Sequence, residues 1–232
     1  MIKNIFSVII GNNRPNLNGS NNDAIKIYNL IYKYLNINIK IQKPLLYTDD
    51  KIININEIKN EIKKIHSLNL DDYTIIFFYA GHGYNNRIRF CNLSGKGIID
   101  LVNYGLDEDK KENCKRIFIF DCCHAESLKL PFNENNLLLL SCKRGQMSSE
   151  SVAEIEINNN EKKQYNKIKV INRNNKSYYN YHIGVFTFNF VNIVKDFGIT
   201  NIKNNYIWKD IEFISKQTFI IKGNIKLIED IF

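Results

Sequence analysis

No stretch of the 232-residue chain approaches the roughly twenty consecutive apolar residues that cross a bilayer, and Met1-Ile-Lys-Asn-Ile-Phe6 lacks a secretory signal's long apolar segment and small-residue cleavage site. A cytoplasmic protein without membrane contact is expected. Disulfide patterning is missing too: five cysteines, an odd number without regular spacing, point to reduced thiols, one of them free to act as a nucleophile. Zinc fails on spacing, because Cys114, Cys122, Cys123 and His124 contain no CxxC and have no matching second pair. The formal charge of +8 is not concentrated, since lysines are scattered among Asn and Ile rather than gathered into a stripe with interleaved aromatics. No nucleic-acid partner is expected. There is no internal repeat, and the length suits one large α/β domain with a single buried core over residues 1–232.

What the chain does contain is two nearly unbroken runs of β-branched and aromatic residues, Tyr73-Thr-Ile-Ile-Phe-Phe-Tyr79 and Arg116-Ile-Phe-Ile-Phe120. That is how a strand buried on both faces of a parallel sheet reads. Each run stops on a reactive side chain, the first at His82 in YAGHG and the second at Cys123 in FDCCHAES. Asn4–Gly11 reads as a further buried strand, closed by glycine and a polar loop holding Pro15. Asn22 and Asp23 stand where N-caps are preferred, ahead of Ala24, Ile27, Leu30, Ile31 and Leu35 at helical spacing. Ile39–Tyr47 is a strand interrupted by Pro44, and Ile55, Ile58, Ile62 and Ile65 mark one face of a second helix. A hairpin arm over Arg87–Leu93, a short helix over Gly97–Leu106 and a strand over Leu137–Leu140 follow. Beyond them lie a polar, hairpin-like insertion at about 158–180, helices over Gly184–Val194 and Tyr206–Ile214, and an edge strand over Lys226–Phe232. Alternating strands and helices predict a mostly parallel central sheet with helices on both faces.

Catalytic groups in such sheets collect at the carboxyl ends of the strands, so a histidine and a cysteine after neighbouring strands share one crevice. A thiolate attacks a carbonyl carbon when an imidazole takes its proton and later returns it to the leaving amine. Cys123 with His82 fits that requirement, and the N–H groups of Gly83 and Cys123 are candidates for an oxyanion hole. Successive side chains on a strand point to opposite faces, so only one of Cys122 and Cys123 aims at the crevice, and strand periodicity alone leaves the choice open. His124 is a poor base for its own neighbour because adjacent side chains diverge.

These segments resemble the metacaspases, caspase-like cysteine peptidases. YAGHG is similar to their YSGHG, DCCHAES to DSCHSGT, and SCKRGQMSSE from Ser141 to Glu150 to SGCxDxQTSAD. NGSNNDA from Asn18 is similar to GCxNDA, TDD from Thr48 recurs, and GVFTF from Gly184 is similar to GAFTY. The six motifs run in family order from about residue 4 to 195. The resemblance implies a caspase-like three-layer α/β sandwich, with a large-subunit-like part at 1–130 and a small-subunit-like part at 131–232. It implies Cys123 as nucleophile and His82 as partner. It implies a substrate pocket formed by Asp23 and Asp121, with Ala80, Ser141 and Glu150 at further pocket positions. Carboxylates there pair with a guanidinium or ammonium, so protein or peptide substrates cut after Arg or Lys are expected.

Several positions depart from the family pattern. Ala80 replaces a serine, Ala125 and Glu126 replace Ser-Gly beside the cysteine, and Glu150 replaces an aspartate. Many metacaspases hold calcium with acids after the histidine and after the cysteine. Here Asp100, Asp107, Glu108 and Asp109 supply the first group, but Leu130 and Pro131 stand in the second. No cofactor is therefore required, and calcium at Asp100, Asp107 and Asp109 is the one candidate. A monomer without an amino-terminal prodomain is expected, with Lys129 a candidate self-cleavage point. Glu126, Ala80 and the thin acidic cluster motivate a rival reading, a catalytically inactive caspase-fold binding or regulatory module. A peptidase cutting after Asp would instead need a basic pocket.

Overall fold

The unbroken apolar runs become the middle of one sheet, because only a strand covered on both faces can be apolar at every position. The structure, a computed structural model, describes residues 3–13, 16–34, 39–49, 54–68, 70–156, 169–173, 176–197, 209, 215–229 and 231. In chain order its elements are β1 (Lys3–Asn12), α1 (Ser20–Tyr34), β2 (Ile39–Ile41), β3 (Leu45–Tyr47), α2 (Ile55–His66), β4 (Tyr73–Gly81), β5 (Gly83–Tyr84) and β6 (Arg87–Ile88). There follow α3 (Gly95–Val102), β7 (Cys114–Cys122), β8 (Asn136–Leu140), β9 (Glu150–Glu156), β10 (Lys169–Arg173), β11 (Lys176–Gly184), α4 (Val185–Phe197), β12 (Ile220–Gly223) and a closing helical turn, Lys226–Glu229. The main sheet has seven strands in the order β12-β8-β7-β4-β1-β2, with β3 also paired to β1. All its pairs are parallel except β12 with β8.

Helices cover both faces. Ile58 and Ile62 of α2 and Ile98, Leu101 and Val102 of α3 pack against Phe77, Tyr79, Phe118 and Phe120 on one face. On the other, Ala24, Ile27, Leu30 and Ile31 of α1 and Phe186, Phe190 and Val194 of α4 pack against Ile76, Phe78, Ile117 and Ile119. The result is the expected three-layer α/β sandwich. A smaller antiparallel sheet, β10-β11-β9, leads directly into α4.

Several boundaries differ from the sequence expectation. α1 starts at Ser20, so Asn22 and Asp23 lie inside its first turn rather than capping it. The side chain of Asn22 donates to the carbonyl of His182, and that of Asp23 accepts from the amide of Gly184. The hairpin after His82 pairs Gly83–Tyr84 with Arg87–Ile88, and a single turn of 3-10 helix follows at Phe90–Asn92. In the stretch Lys226–Phe232, where an edge strand is expected, the described residues Lys226–Glu229 form a helical turn, and the antiparallel edge is Ile220–Gly223. Gly223 ends that strand at φ +97, and Asn224 caps the turn by accepting from the amide of Lys226 at 3.1 Å. A strand would send Leu227 and Ile228 to opposite faces, whereas the turn buries both with Ile231 in one core. β9 was not expected. Of the polar insertion, 169–173 and 176–180 form part of the second sheet. Residues 157–168, and most of the helix expected at Tyr206–Ile214, lie outside the described residues.

Candidate active site

Strand register brings the two reactive ends together. β4 and β7 are neighbours, pairing Ala80 with Asp121 and Gly81 with Cys122, so His82 and Cys123 follow at adjacent strand ends. Alternation assigns the faces. Cys122 belongs to the core under α2 and α3, and burial pushes its thiol well above the ordinary cysteine range. Cys123, one residue on, is partly exposed. A buried thiol resists forming a thiolate and is out of reach of a substrate, so burial separates the two cysteines where periodicity could not.

The backbone around this point is tightly fitted. A Cβ on Gly83 would overlap the carbonyl oxygen of Cys123 and lie 3.0 Å from the Cys122 sulfur, so the segments after the two strands are in direct contact. A Cβ on Gly81, at φ +154, would lie 2.5 Å from the hydroxyl of Tyr79. That hydroxyl donates to the His82 carbonyl at 2.9 Å, and the amide of Arg89 donates to the same oxygen at 2.9 Å. His124 is engaged elsewhere. It adopts φ +56, donates its amide to Gln146, and accepts from the amide of Gly145 through Nδ1 at 3.2 Å. Glu126 turns toward the sheet edge, where one carboxylate oxygen accepts from Lys222 Nζ at 2.7 Å and the other from the amide of Arg144 at 3.2 Å.

On the α1/α4 face, beside Ala80, two carboxylates are buried together: Asp23 is 2% and Asp121 5% exposed. Asp23 Oδ1 accepts from the Gly184 amide at 2.8 Å. Asp121 accepts from Ser148 Oγ at 2.5 Å through Oδ1, and from the Thr187 amide and hydroxyl at 3.0 and 2.8 Å through Oδ2. Any side chain on Gly184 would overlap Asp121 Oδ2 and crowd Asp23 Oδ2, so both carboxylates converge on one glycine. Burial pushes both upward in pKa, with the Asp121 charge adding to the effect on Asp23 and the bonds from Ser148 and Thr187 opposing it at Asp121. Glu150 sits nearby, its carboxylate accepting from the amides of Gly19 and Asn18 at 2.8 and 3.3 Å.

A family model described as a caspase domain matches residues 6–179, a span holding both strand ends, Asp23, Asp121, Ser141 and Glu150. The chain belongs to the caspase family. The general activity of that family is cysteine peptidase activity. Among solved structures, protein GSU0716 from Geobacter sulfurreducens is similar with a TM-score of 0.54, over 95% of this chain and 94% of that one, at 13% identity. At that identity the likeness concerns the fold. No curated protein matches the sequence.

In this caspase domain Ala80 is wholly buried against the α1/α4 core. Ser141 is buried behind the end of β7, its hydroxyl bonded to both the amide and the carbonyl of Cys122 at 3.2 Å. Asp100, Asp107 and Asp109 are exposed, and Asp107 and Glu108 face Lys110 and Lys111. Among the described residues no three His, Cys, Asp or Glu side chains form a group able to hold a metal, so the calcium candidates do not fit a shared site. Two direct partners of the carboxylates, Ser148 and Thr187, and one residue that bonds Ser148, Gln217, complete this network beyond the candidates read from the sequence. Ser148 and Thr187 lie inside matched motifs, but Gln217 precedes β12 with no pattern to mark it. Its Nε2 donates to Ser148 Oγ at 3.2 Å and to the Ser141 carbonyl at 3.4 Å.

Proposed function

We propose that this caspase domain is a metacaspase-like cysteine endopeptidase that cuts after Arg or Lys. The observation that carries the reading is the buried pair Asp23 and Asp121, on the face of the sheet from which Cys123 emerges. A caspase-fold enzyme cutting after Asp needs cations there, whereas two desolvated carboxylates are complementary to a guanidinium or ammonium.

In this mechanism the Cys123 sulfur attacks the scissile carbonyl carbon while its proton passes to His82. The carbonyl oxygen becomes an oxyanion between the N–H groups of Gly83 and Cys123. Collapse of the tetrahedral intermediate breaks the C–N bond, and the amine leaves with the proton from His82. Water, deprotonated by His82, then hydrolyses the thioester and returns the sulfur. His124 and Glu126 take no part, being committed to the 144–146 loop and to Lys222.

Fluorogenic peptides that differ only in the residue before the reporter test the proposal. Arg and Lys substrates are expected to be cleaved, Asp substrates not, and Cys123→Ala is expected to abolish turnover without loss of fold. Equal cleavage by the alanine variant, or faster cleavage after Asp, would overturn it. Activity is expected to survive chelation of calcium by EDTA; a strict calcium requirement would refute that part.

A further inference from the structure

The face opposite the acidic pocket carries a groove of the opposite charge. Two cavities of about 400 and about 420 Å³ adjoin there and share Ser127, Lys129 and Arg144 in their walls. Lys222 lines the first and Lys96 the second. Glu126 is the sole acid among the lining residues, and it is already paired with Lys222. Among the described residues the side-chain cations of Lys96, Lys129 and Arg144 pair with no carboxylate.

Position gives the groove a meaning. Its walls come from the turn after β5 (Asn85 and Asn86), the start of α3, and the segment directly after Cys123. Its floor is the face of the sheet that holds Leu138 and Leu140, under α2 and α3, whereas Asp23 stands on α1 and Asp121 bonds Thr187 of α4 on the other side. Cys123 follows the carboxyl end of β7, between Asp121 and the segment Ala125–Leu130 that walls the groove. A peptide with its cationic residue beside Asp23 and Asp121 and its scissile carbonyl at Cys123 comes within reach of the groove through the segment that follows Cys123.

Resting on the peptidase reading above, we propose that this groove recognises acidic residues on the leaving side of the scissile bond. The preferred substrate then carries Arg or Lys before the cut and Asp or Glu within the next few positions.

Binding and turnover test this separately. Cys123→Ala protein, titrated by fluorescence anisotropy with labelled peptides holding one Arg followed by several Glu or several Lys, is expected to bind the Glu peptide about tenfold tighter at low salt. That advantage should shrink as salt rises, and should be lost in Lys129→Glu/Arg144→Glu and weakened in Lys96→Glu, a single exposed substitution that leaves the loop after Cys123 intact. Equal affinity for both peptides, or a preference unaffected by these variants, overturns the proposal. Displacement of the Glu peptide by millimolar inorganic phosphate at matched ionic strength would make this a small-anion site and overturn it as well. In the wild type, kcat/KM should follow the same order, while an Arg aminocoumarin amide, with nothing beyond the bond to reach the groove, should be cleaved equally by wild type and groove variants. Failure of the amide alone, with the Glu preference kept in binding, sinks the peptidase reading and leaves the groove's recognition of acidic peptides standing.

Discussion

Asp23 and Asp121 are both pushed toward the protonated form by burial, and a residue held in that condition costs stability when ionised. For Asp23 the folded-state pKa lies above the ordinary 3.8, so the fold binds its proton more tightly than the unfolded chain does. The cost is absent at pH values below the ordinary pKa, grows as pH rises from there, and is complete only above the raised one. Asp23→Asn keeps an acceptor for the Gly184 amide and removes the charge. The variant is expected to melt a few degrees higher at pH 7, about 2–4 °C per kcal/mol for a chain of this size, with the difference vanishing in acid. It is expected to lose about 100-fold in kcat/KM on Arg substrates, because a buried charge-assisted pair goes missing. KM for an Arg substrate should rise as the pH falls through the raised pKa values, since a protonated pocket no longer attracts a cation. Differential scanning fluorimetry and pH-dependent kinetics check the two halves. A variant that is less stable and still prefers Arg would contradict this account.

Glu126 belongs to the same scale. It stands where the family has glycine, yet it is turned to Lys222 and the Arg144 amide, and its pKa is lowered by the lysine first and the amide second. The pair is about a third exposed on each side, so its net contribution is about 0–1 kcal/mol. Glu126→Ala is expected to lower the melting temperature by no more than about 4 °C and to leave kcat on Arg substrates within about threefold of wild type. A large gain in kcat would show instead that the glutamate obstructs the oxyanion site.

Among the elements, α2 is fastened to the sheet through His66. Its Nδ1 is 2.6 Å from the hydroxyl of Tyr73 on β4, and its Nε2 is 2.8 Å from the carbonyl of Val102 at the end of α3. Burial lowers the histidine pKa below 6.5, so the fold favours the neutral ring. A neutral ring costs nothing above the ordinary pKa, and the proton demanded by the unfolded state destabilises the fold as the pH falls through 6.5 toward the lowered value. Thermal stability measured from pH 7.5 to 5 is expected to fall over that range, and to fall less in His66→Gln. Identical pH profiles for the two proteins would rule out this tether as the cause.

At the scale of the whole molecule, the central sheet separates two buried carboxylates on its α1/α4 side from the basic groove on its α2/α3 side. Much of this could be read from the chain. β4, β7 and β8 are covered on both sides and so are written as unbroken apolar runs, which also located His82 and Cys123 at their ends. Elements lacking such a run were harder to see. In β9 the described side chains Ser151 and Val152 are exposed and only Ala153 is buried, so no apolar stretch announces the strand. The start of α1 was misplaced because Asn22 and Asp23 have the composition of caps but bond to β11, contacts more than 150 residues distant in sequence. Gln217 reaches the site only because β12 folds back antiparallel on β8, a long-range pairing with no local signature.

The central claim joins one sulfur to one pocket, so the most direct test labels that sulfur through that pocket. The protein is treated with an Arg-directed chloromethyl ketone, and the adduct is located by intact mass and peptide mapping. A single adduct on Cys123 is predicted, present in Cys122→Ala, absent in Cys123→Ala, and outpacing an Asp-directed reagent of the same chemistry. An adduct on another cysteine, faster labelling by the Asp reagent, or no labelling of folded protein would contradict it.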